Sequence, residues 1–218
     1  MPGRVIAIDG PAASGKSSVS RGVAEALGYL FVSSGYFYRA LAWGFLRDQT
    51  ALDSLDAWIA GQSLSLGETS GGLALLLNGE NVAMHLSSPE VASMVSPLAA
   101  FPAVRQLVNG NLRALAKWND LVIEGRDIGS VVFPETPYKF YLDASPGERA
   151  RRRGLEGAVD SVAERDRLDS TRATAPLRIP EGAVVIDTTN LTLDEVIGVV
   201  TGHLARLGDF PRISSITR

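Results

Sequence analysis

The chain has 218 residues, of which 45% are hydrophobic and 21% charged, and its formal net charge is −3. This length and composition favour one α/β domain with room for a small insertion. The negative charge argues against sequence-independent nucleic-acid binding, which needs excess basic charge. Cysteine is absent, which excludes disulfides, thiolate metal sites and a cysteine nucleophile. With no signal-like or membrane-spanning apolar segment, we expect a cytoplasmic protein with no membrane partner.

The first predicted strand, Arg4 to Asp9, leads into a phosphate-binding motif. A helix from Lys16 to Leu27 follows, so the motif G-x-x-x-x-G-K-[ST] stands in the strand–loop–helix context of a P-loop. Lys16 can reach the β- and γ-phosphates of a nucleotide, and the Ser17 hydroxyl can ligate Mg²⁺. This pattern predicts the phosphates of a nucleotide, together with Mg²⁺, as ligands. The predicted loop contacts are Gly10, Pro11, Ala12, Ala13, Ser14, Gly15, Lys16, Ser17 and Ser18.

A second strand, Tyr29 to Ser34, follows the first helix, and a helix then continues to about Asp48. Strand, helix and strand at this spacing predict a parallel sheet with a right-handed crossover. Residues just past the carboxyl ends of strands line the ligand crevice of open α/β sheets, so we expect Ser34 and Arg39 near the P-loop. Two alternatives stay open, namely Ser34 as a helix N-cap and Arg39 on a solvated helix face.

The residues from 51 to about 95 interrupt this series. Short apolar runs at 64–66 and 73–77 flank Asn78-Gly79, a strong hairpin signal, and a further strand is predicted from Glu80 to Met84. The pattern predicts a small antiparallel insert within one domain, whose core spans about 1–50, 96–145 and 173–218. His85, at the end of the insert, is predicted to be a packing or surface residue, because nothing pairs it with a nucleophile or a second ligand.

Helices are predicted over about 89–96 and 102–119, followed by a buried strand from Leu121 to Glu124. An acidic residue at such a strand end commonly supports Mg²⁺ in P-loop sites. Here that candidate is Glu124, and Asp9 and Asp127 stay open as rivals. The glycines on both sides of Arg126-Asp127 indicate that the backbone passes close to another group there.

An arginine-rich segment follows the fourth predicted strand, Tyr138 to Asp143. Its arginines are Arg149, Arg151, Arg152, Arg153, Arg165, Arg167 and Arg172. In a P-loop protein this density predicts a helical lid over phosphates, at about 146–172. The alternative is a solvated face with i,i+4 pairs such as Glu148 with Arg152. A last strand at 183–187 and a helix at 191–207 complete a predicted three-layer α/β/α fold with five parallel strands.

These segments together resemble the nucleoside monophosphate kinases, and most closely the cytidylate kinases of bacterial type. The matching segments are Ile8-Asp9 with the P-loop, 34–39, 99–105, Gly125-Arg126-Asp127-Ile128-Gly129 with 131–134, and 172–177. The resemblance implies ATP-dependent phosphorylation of CMP and dCMP, with an NMP-binding insert and an arginine-rich lid. Such a site needs no second subunit, so a monomer is expected.

The resemblance also implies individual roles. Ser34 and Asp169 would contact the ribose, and Ser96, Arg105 and Asp127 would read the cytosine edge. The expected contacts to the monophosphate or the transferring group, which with Lys16 form the predicted catalytic set, are Arg39, Arg126, Arg165 and Arg172. The arginines expected to close on ATP are Arg149, Arg152 and Arg153. The chain departs from the family pattern at Ser33 and Glu124, where Asp is common, and its lid is short.

Two other functions remain as alternatives at this stage. One is a P-loop kinase for a different small acceptor, such as UMP or shikimate. The other is a P-loop switch ATPase, which would carry an N-K-x-D motif or coupling domains, and neither is evident in the sequence. The arginines expected at the acceptor favour a monophosphate.

Overall fold

A sheet of five parallel strands is the central element of the computed structural model, which describes residues 3–69, 72–155, 167, 176–208 and 210. The described strands and helices, in chain order, are β1 (Val5–Asp9), α1 (Lys16–Leu27), β2 (Leu30–Ser33), α2 (Ser34–Arg47), α3 (Leu55–Ala60), β3 (Leu64–Thr69), β4 (Gly72–Leu77), β5 (Glu80–Asn81), α4 (Pro89–Ala99), α5 (Pro102–Leu115), β6 (Leu121–Gly125), β7 (Tyr138–Asp143), α6 (Pro146–Leu155), β8 (Val184–Asp187) and α7 (Leu193–Arg206). The predicted five-stranded parallel sheet is therefore confirmed.

The strand order β2-β6-β1-β7-β8 puts β1 in the middle of the sheet. Asp9, the last residue of β1, lies opposite Gly125 of β6 and Tyr141 of β7 in the parallel register. The carboxyl ends of the three central strands therefore meet at one edge, where ligands bind in open α/β sheets. All five side chains of β1 are buried, as expected for a strand covered on both faces.

The described chain divides into two compact units. The first contains Met1–Ser33 and Leu115–Arg218, and it holds the five-stranded sheet with α1, α6 and α7. Its hydrophobic core includes Ile6, Val23, Phe140 and Val200. The second contains Ser34–Ala114, with a three-stranded antiparallel sheet in the order β3-β4-β5. The boundaries expected for the insert and the lid stay predictions.

The hairpin between β4 and β5 turns at the residues that the sequence predicts. Asn78 and Gly79 have φ angles of 52° and 82°, the left-handed conformations that a two-residue hairpin turn needs. The strand predicted to reach Met84 ends earlier, at Asn81. The Asn81 carboxamide accepts the Ala83 N–H at 3.0 Å, and such a local side-chain bond replaces the strand ladder by a turn. His85 is a packing residue, since its ring stacks on that of Trp43 with 4.6 Å between the ring centres.

Two helices in the second unit end at other residues than predicted. The helix expected to reach residue 119 ends at Leu115, and the Asn119 side-chain amide donates to the Leu115 carbonyl at 3.0 Å. The Trp118 N–H also donates to this carbonyl, at 3.3 Å, so the last turn of the helix is closed by one backbone bond and one side-chain bond. The helix expected to end near residue 96 continues through Pro97 to Ala99.

No single helix within the described residues is long and apolar enough to span a membrane. Only α4 and α5 taken together meet that criterion, and their axes differ by 101° at the junction between them.

Candidate active site

The loop between β1 and α1 has the sterically demanding backbone that its glycines predict. Gly15 has a φ of 87° and Ala13 a φ of 57°. A Cβ atom on Gly10 would lie 2.2 Å from the Leu142 carbonyl oxygen of β7, so only glycine fits at this close approach. The left-handed turn at Gly15 leads directly into α1 at Lys16.

The beginning of α1 has the properties of an anion site. Among the described residues no side chain caps this helix start, and its first turn has no acidic residue. The N–H groups there and the helix dipole favour a negative ligand. Lys16 is buried, and its Nζ donates to the Pro11 carbonyl at 3.0 Å. The Ser14 hydroxyl is also buried and has no hydrogen-bond partner in the described part of the chain, which fits a loop built around a phosphate.

Glu124 is an acidic residue that contacts the end of the P-loop motif. The Ser17 hydroxyl donates to Glu124 Oε1 at 3.1 Å. The Ser33 hydroxyl donates to the same oxygen, because Ser33 lies opposite Glu124 in the register between β2 and β6. The described residues contain no group of three His, Cys, Asp or Glu that could hold a metal ion. Mg²⁺ bound with a nucleotide needs only one or two carboxylates besides phosphate oxygens and water, so Ser17 and Glu124 fit such an ion.

Asp9 has a different environment from the one expected of a metal ligand. Its side chain is completely buried, and its two oxygens accept the N–H groups of Ile128 and Gly129, both at 2.8 Å. Burial raises the pKa of Asp9 to about 7, and the nearby charges of Asp127 and Glu124 add to this, while the two N–H donors oppose it. The sequence did not predict this contact, although the glycines around Arg126-Asp127 indicated a close backbone approach.

The segment after β6 carries two further predicted site residues. Arg126 is half-buried, and Asp127 is buried just before a single π-helical turn over residues 128–132. Turns of this type are rare and occur frequently at functional sites.

Two arginines of α6 lie against the P-loop. Arg149 is buried and donates to the carbonyls of Ala144 at 3.0 Å and Ala12 at 3.3 Å. Arg152 donates to the hydroxyl of Thr188 at 2.9 Å and to its carbonyl at 2.7 Å. The Thr188 hydroxyl in turn lies 3.1 Å from the Ser14 carbonyl oxygen. Sequence reasoning missed Thr188, which follows the last strand in the chain and has no motif around it.

The i,i+4 pair of the alternative interpretation, Glu148 with Arg152, is present in α6. Arg152 Nε donates to Glu148 at 2.8 Å, and Arg151 donates to both oxygens of the same carboxylate. Hydrogen bonds from Arg151 and Arg152 hold the pKa of Glu148 well below its usual range. Arg152 therefore makes a helix-surface ion pair and a contact to Thr188 at once, whereas Arg153 is half-buried next to it.

Four of the predicted site residues belong to the second unit. Ser34 is buried at the start of α2, and Ser96 is half-buried on α4. Arg39 donates to the Leu86 carbonyl at 2.8 Å. Arg105 is only 4% exposed, donates to the Ala99 carbonyl at 3.4 Å and lies 5.9 Å from the centre of the Tyr38 ring. These contacts join α2, α4 and α5 around the Arg105 guanidinium.

The remaining predicted site residues, Arg165, Asp169 and Arg172, lie outside the described residues, as does most of the segment predicted to form the lid. Their roles stay predictions.

The parallel sheet, the loop around buried Lys16 and the carboxylate on the neighbouring strand together define a nucleotide-binding protein of the P-loop class. The family model described as cytidylate kinase matches residues 6–206. The chain therefore belongs to the cytidylate kinase family, as the resemblance predicted.

Individual cytidylate kinases of other organisms agree with this assignment. The chain is 41% identical to a cytidylate kinase of Geobacillus sp. (strain WCH70) over 88% of this chain and 92% of the relative. It is 42% identical to the cytidylate kinase of Geobacillus kaustophilus over the same shares, and 36% identical to that of Shewanella pealeana over 92% and 94%. A crystal structure of a gluconokinase from Sinorhizobium meliloti is 18% identical, with a TM-score of 0.46 over 94% of this chain and 93% of that chain.

Proposed function

We propose that the chain transfers the γ-phosphoryl group of ATP to CMP, and also to dCMP, giving ADP and the nucleoside diphosphate. An oxygen of the monophosphate forms the new bond to phosphorus, while the bond to the bridging oxygen of ATP breaks. Membership of the cytidylate kinase family supports this reaction. The main structural support for the proposed ATP site is the Ser17–Glu124 hydrogen bond beside buried Lys16.

The donor half of the site consists of the P-loop and the residues around it. Residues Gly10 to Ser18 hold the phosphates of ATP, with Lys16 neutralising charge on the transferred group. Ser17 and Glu124 hold Mg²⁺, directly or through water, and when bound the ion offsets the charge of the phosphate oxygens. Arg149 and Arg152, with Arg153 next to them, keep the loop in shape and contact ATP.

The acceptor half binds the monophosphate. We assign the ribose to Ser34 with Asp169, and the cytosine edge to Ser96, Arg105 and Asp127. The arginines for the acceptor phosphate and the transferring group are Arg39, Arg126, Arg165 and Arg172.

The reaction then needs positioning and charge neutralisation more than acid–base chemistry. The acceptor is already an anionic phosphate, so no general base is required, and the arginines offset the repulsion between two phosphate groups. We propose that the arginine-rich lid excludes water from the site, because water would otherwise accept the phosphoryl group. A site that hydrogen-bonds cytosine rejects other bases, since its own polar groups would stay unpaired.

We propose further that the protein works as a cytoplasmic monomer on small-molecule substrates, without a nucleic-acid or membrane partner. The proposed donor and acceptor groups are all supplied by one chain, and the net charge is −3. Sedimentation at concentrations used for the assay tests the monomer, and a dimer at those concentrations would contradict it.

The deciding experiment measures ADP formation from Mg²⁺ and ATP against a panel of CMP, dCMP, UMP, AMP, GMP and shikimate. We expect CMP and dCMP to be the preferred acceptors. A higher kcat/KM for UMP or shikimate would assign another kinase reaction. Rapid ADP release that no acceptor stimulates would indicate a switch ATPase instead.

A further inference from the structure

A single buried carboxylate connects the P-loop to the segment that carries Arg126 and Asp127. Asp9 ends β1 and directly precedes Gly10, the first residue of the loop. Its oxygens accept the N–H groups of Ile128 and Gly129 at 2.8 Å each, and these residues directly follow Asp127. The two partners are 119 and 120 positions away in the chain, so tertiary structure alone produces this contact.

The Asp9 carboxylate caps the first residues of the π-helical turn. Within the turn, the Val131 N–H donates to the Asp127 carbonyl at 2.9 Å, and the Phe133 N–H donates to the Ile128 carbonyl at 2.7 Å. The first N–H groups of a helical turn have no partner inside it. Asp9 accepts two of these orphan donors, which fixes the direction in which the main chain leaves Asp127.

The space around the contact leaves little freedom for the turn. A Cβ atom on Gly129 would lie 3.3 Å from Asp9 Oδ2 and 3.2 Å from both Lys139 Cγ and Pro180 Cγ. These distances are at the short end of van der Waals contact, so the Gly129 backbone is held closely between β1, β7 and the segment before β8. Both Asp9 oxygens are engaged in this contact, whereas Glu124 is the carboxylate bonded to Ser17.

We propose that Asp9 is a positioning residue, which sets the spacing between the P-loop and Arg126-Asp127 through its two bonds to the turn. The inference rests on the proposed function, because that function gives Arg126 to the acceptor phosphate and Asp127 to cytosine. Phosphoryl transfer is sensitive to such spacing, since a displacement of about 1 Å can reduce a rate about a hundredfold.

The test substitutes Asp9→Asn, which keeps the shape of the side chain and removes one of its two acceptor oxygens. We expect kcat/KM for CMP to fall about tenfold to a hundredfold, while the dissociation constant of ATP, measured by calorimetry, changes less than about threefold. A generally weakened fold would instead affect both ligands. The matched control is Asp120→Asn, at the other end of β6, where the carboxylate also accepts a backbone N–H, that of Arg4 at 2.6 Å.

A second variant changes the other side of the same contact, in the π-helical turn. Gly129→Ala places a methyl group against Asp9 Oδ2, and we expect the same selective loss toward CMP, also in the event that Asp9→Asn does not fold. Equal losses for ATP and CMP, or wild-type CMP kinetics in the folded variants, would overturn the inference. A wild-type protein that does not phosphorylate CMP would overturn the proposed function instead, so the two failures are distinguishable.

Discussion

The Ser17 hydroxyl donates to Glu124 Oε1 across 3.1 Å, although 107 positions separate the two residues in the chain. One is the final residue of the P-loop motif, and the other stands near the end of the neighbouring strand β6. Ser33 of β2 donates to the same oxygen. The P-loop motif and two adjacent strands thus converge on one carboxylate, and for this reason we propose Glu124, of the three acidic residues considered, as the one that supports the metal.

The negative charge of Glu124 is expected to be needed for Mg²⁺ binding. Glu124→Gln keeps an oxygen that can accept from Ser17 and Ser33 but removes the negative charge that attracts Mg²⁺. We expect the Mg²⁺ concentration for half-maximal activity to rise about tenfold or more. Titration of activity with Mg²⁺ at fixed ATP measures this, with the exposed Glu135→Gln as a control. An unchanged Mg²⁺ requirement would assign the metal to another residue.

Lys16 is expected to act in the reaction and not in folding. Its amine is buried in the loop, where it contacts the Pro11 carbonyl. Lys16→Ala should lower kcat by about a thousandfold, the effect of removing one charged stabilising group, with a thermal midpoint close to that of the wild type. A coupled ADP-release assay with Lys117→Ala as control checks this, and near-normal turnover of the variant would refute it.

Asp127 is expected to determine base preference. Its side chain is 5% exposed, and a buried carboxylate that accepts from a base rejects bases without a donor there. Asp127→Ala should reduce the ratio of kcat/KM for CMP to that for UMP about tenfold or more, with little change in ATP affinity. Competition assays with both nucleotides give this ratio. Parallel losses in CMP and ATP affinity would argue against a role in base choice.

Thr188 is expected to support ATP binding through Arg152. Thr188→Val preserves the shape of the side chain but removes the hydroxyl that contacts Arg152 and the Ser14 carbonyl. Because hydrogen bonds to charged groups contribute about 1.5–3 kcal/mol, we expect the KM for ATP to rise about tenfold, with the KM for CMP unchanged. Thr201→Val, which removes a hydroxyl bonded to the Ile197 carbonyl in α7, is the control. Equal effects of both variants would contradict the assignment.

The raised pKa of Asp9 predicts how stability depends on pH. The pKa of the Asp9 carboxyl is about 7 in the folded protein, whereas that of an unperturbed aspartate is 3.8. Between these values the folded protein keeps a proton that the unfolded chain releases, so the contribution of Asp9 to stability falls as pH rises. The full cost of burying the charge is present above about pH 7.

Urea unfolding of the wild type and Asp9→Asn at several pH values from 4 to 8 tests this. The Asn side chain does not titrate. As pH rises within this window, the unfolding free energy of the variant relative to that of the wild type should therefore increase by up to about 1.4 kcal/mol per pH unit. Stability differences that are the same at every pH would show that the folded-state pKa is not raised.

Elements whose signals lie within a few residues could be predicted from the sequence. The helix from Lys16 to Leu27 was predicted with its observed ends, because a glycine in the left-handed conformation stands at each boundary, Gly15 and Gly28. The strand Tyr138–Asp143 and the Asn78-Gly79 turn were also predicted, since alternation, apolar runs and turn chemistry act over a few residues. Where a side chain changed the local balance, as Asn81 did at the end of β5, the predicted boundary was wrong.

Contacts between residues that are distant in the chain depend on strand order and register, which local sequence patterns do not specify. The sequence named Glu124 as the candidate for the metal and left Asp9 and Asp127 as rivals, because each of the three follows or ends a strand segment. The parallel order β2-β6-β1-β7-β8 then put Glu124 beside Ser33 and Ser17, and put Asp9 against the backbone of Ile128 and Gly129. Strand order and register fix these neighbours across more than 100 positions, and short-range pattern contains no information about them.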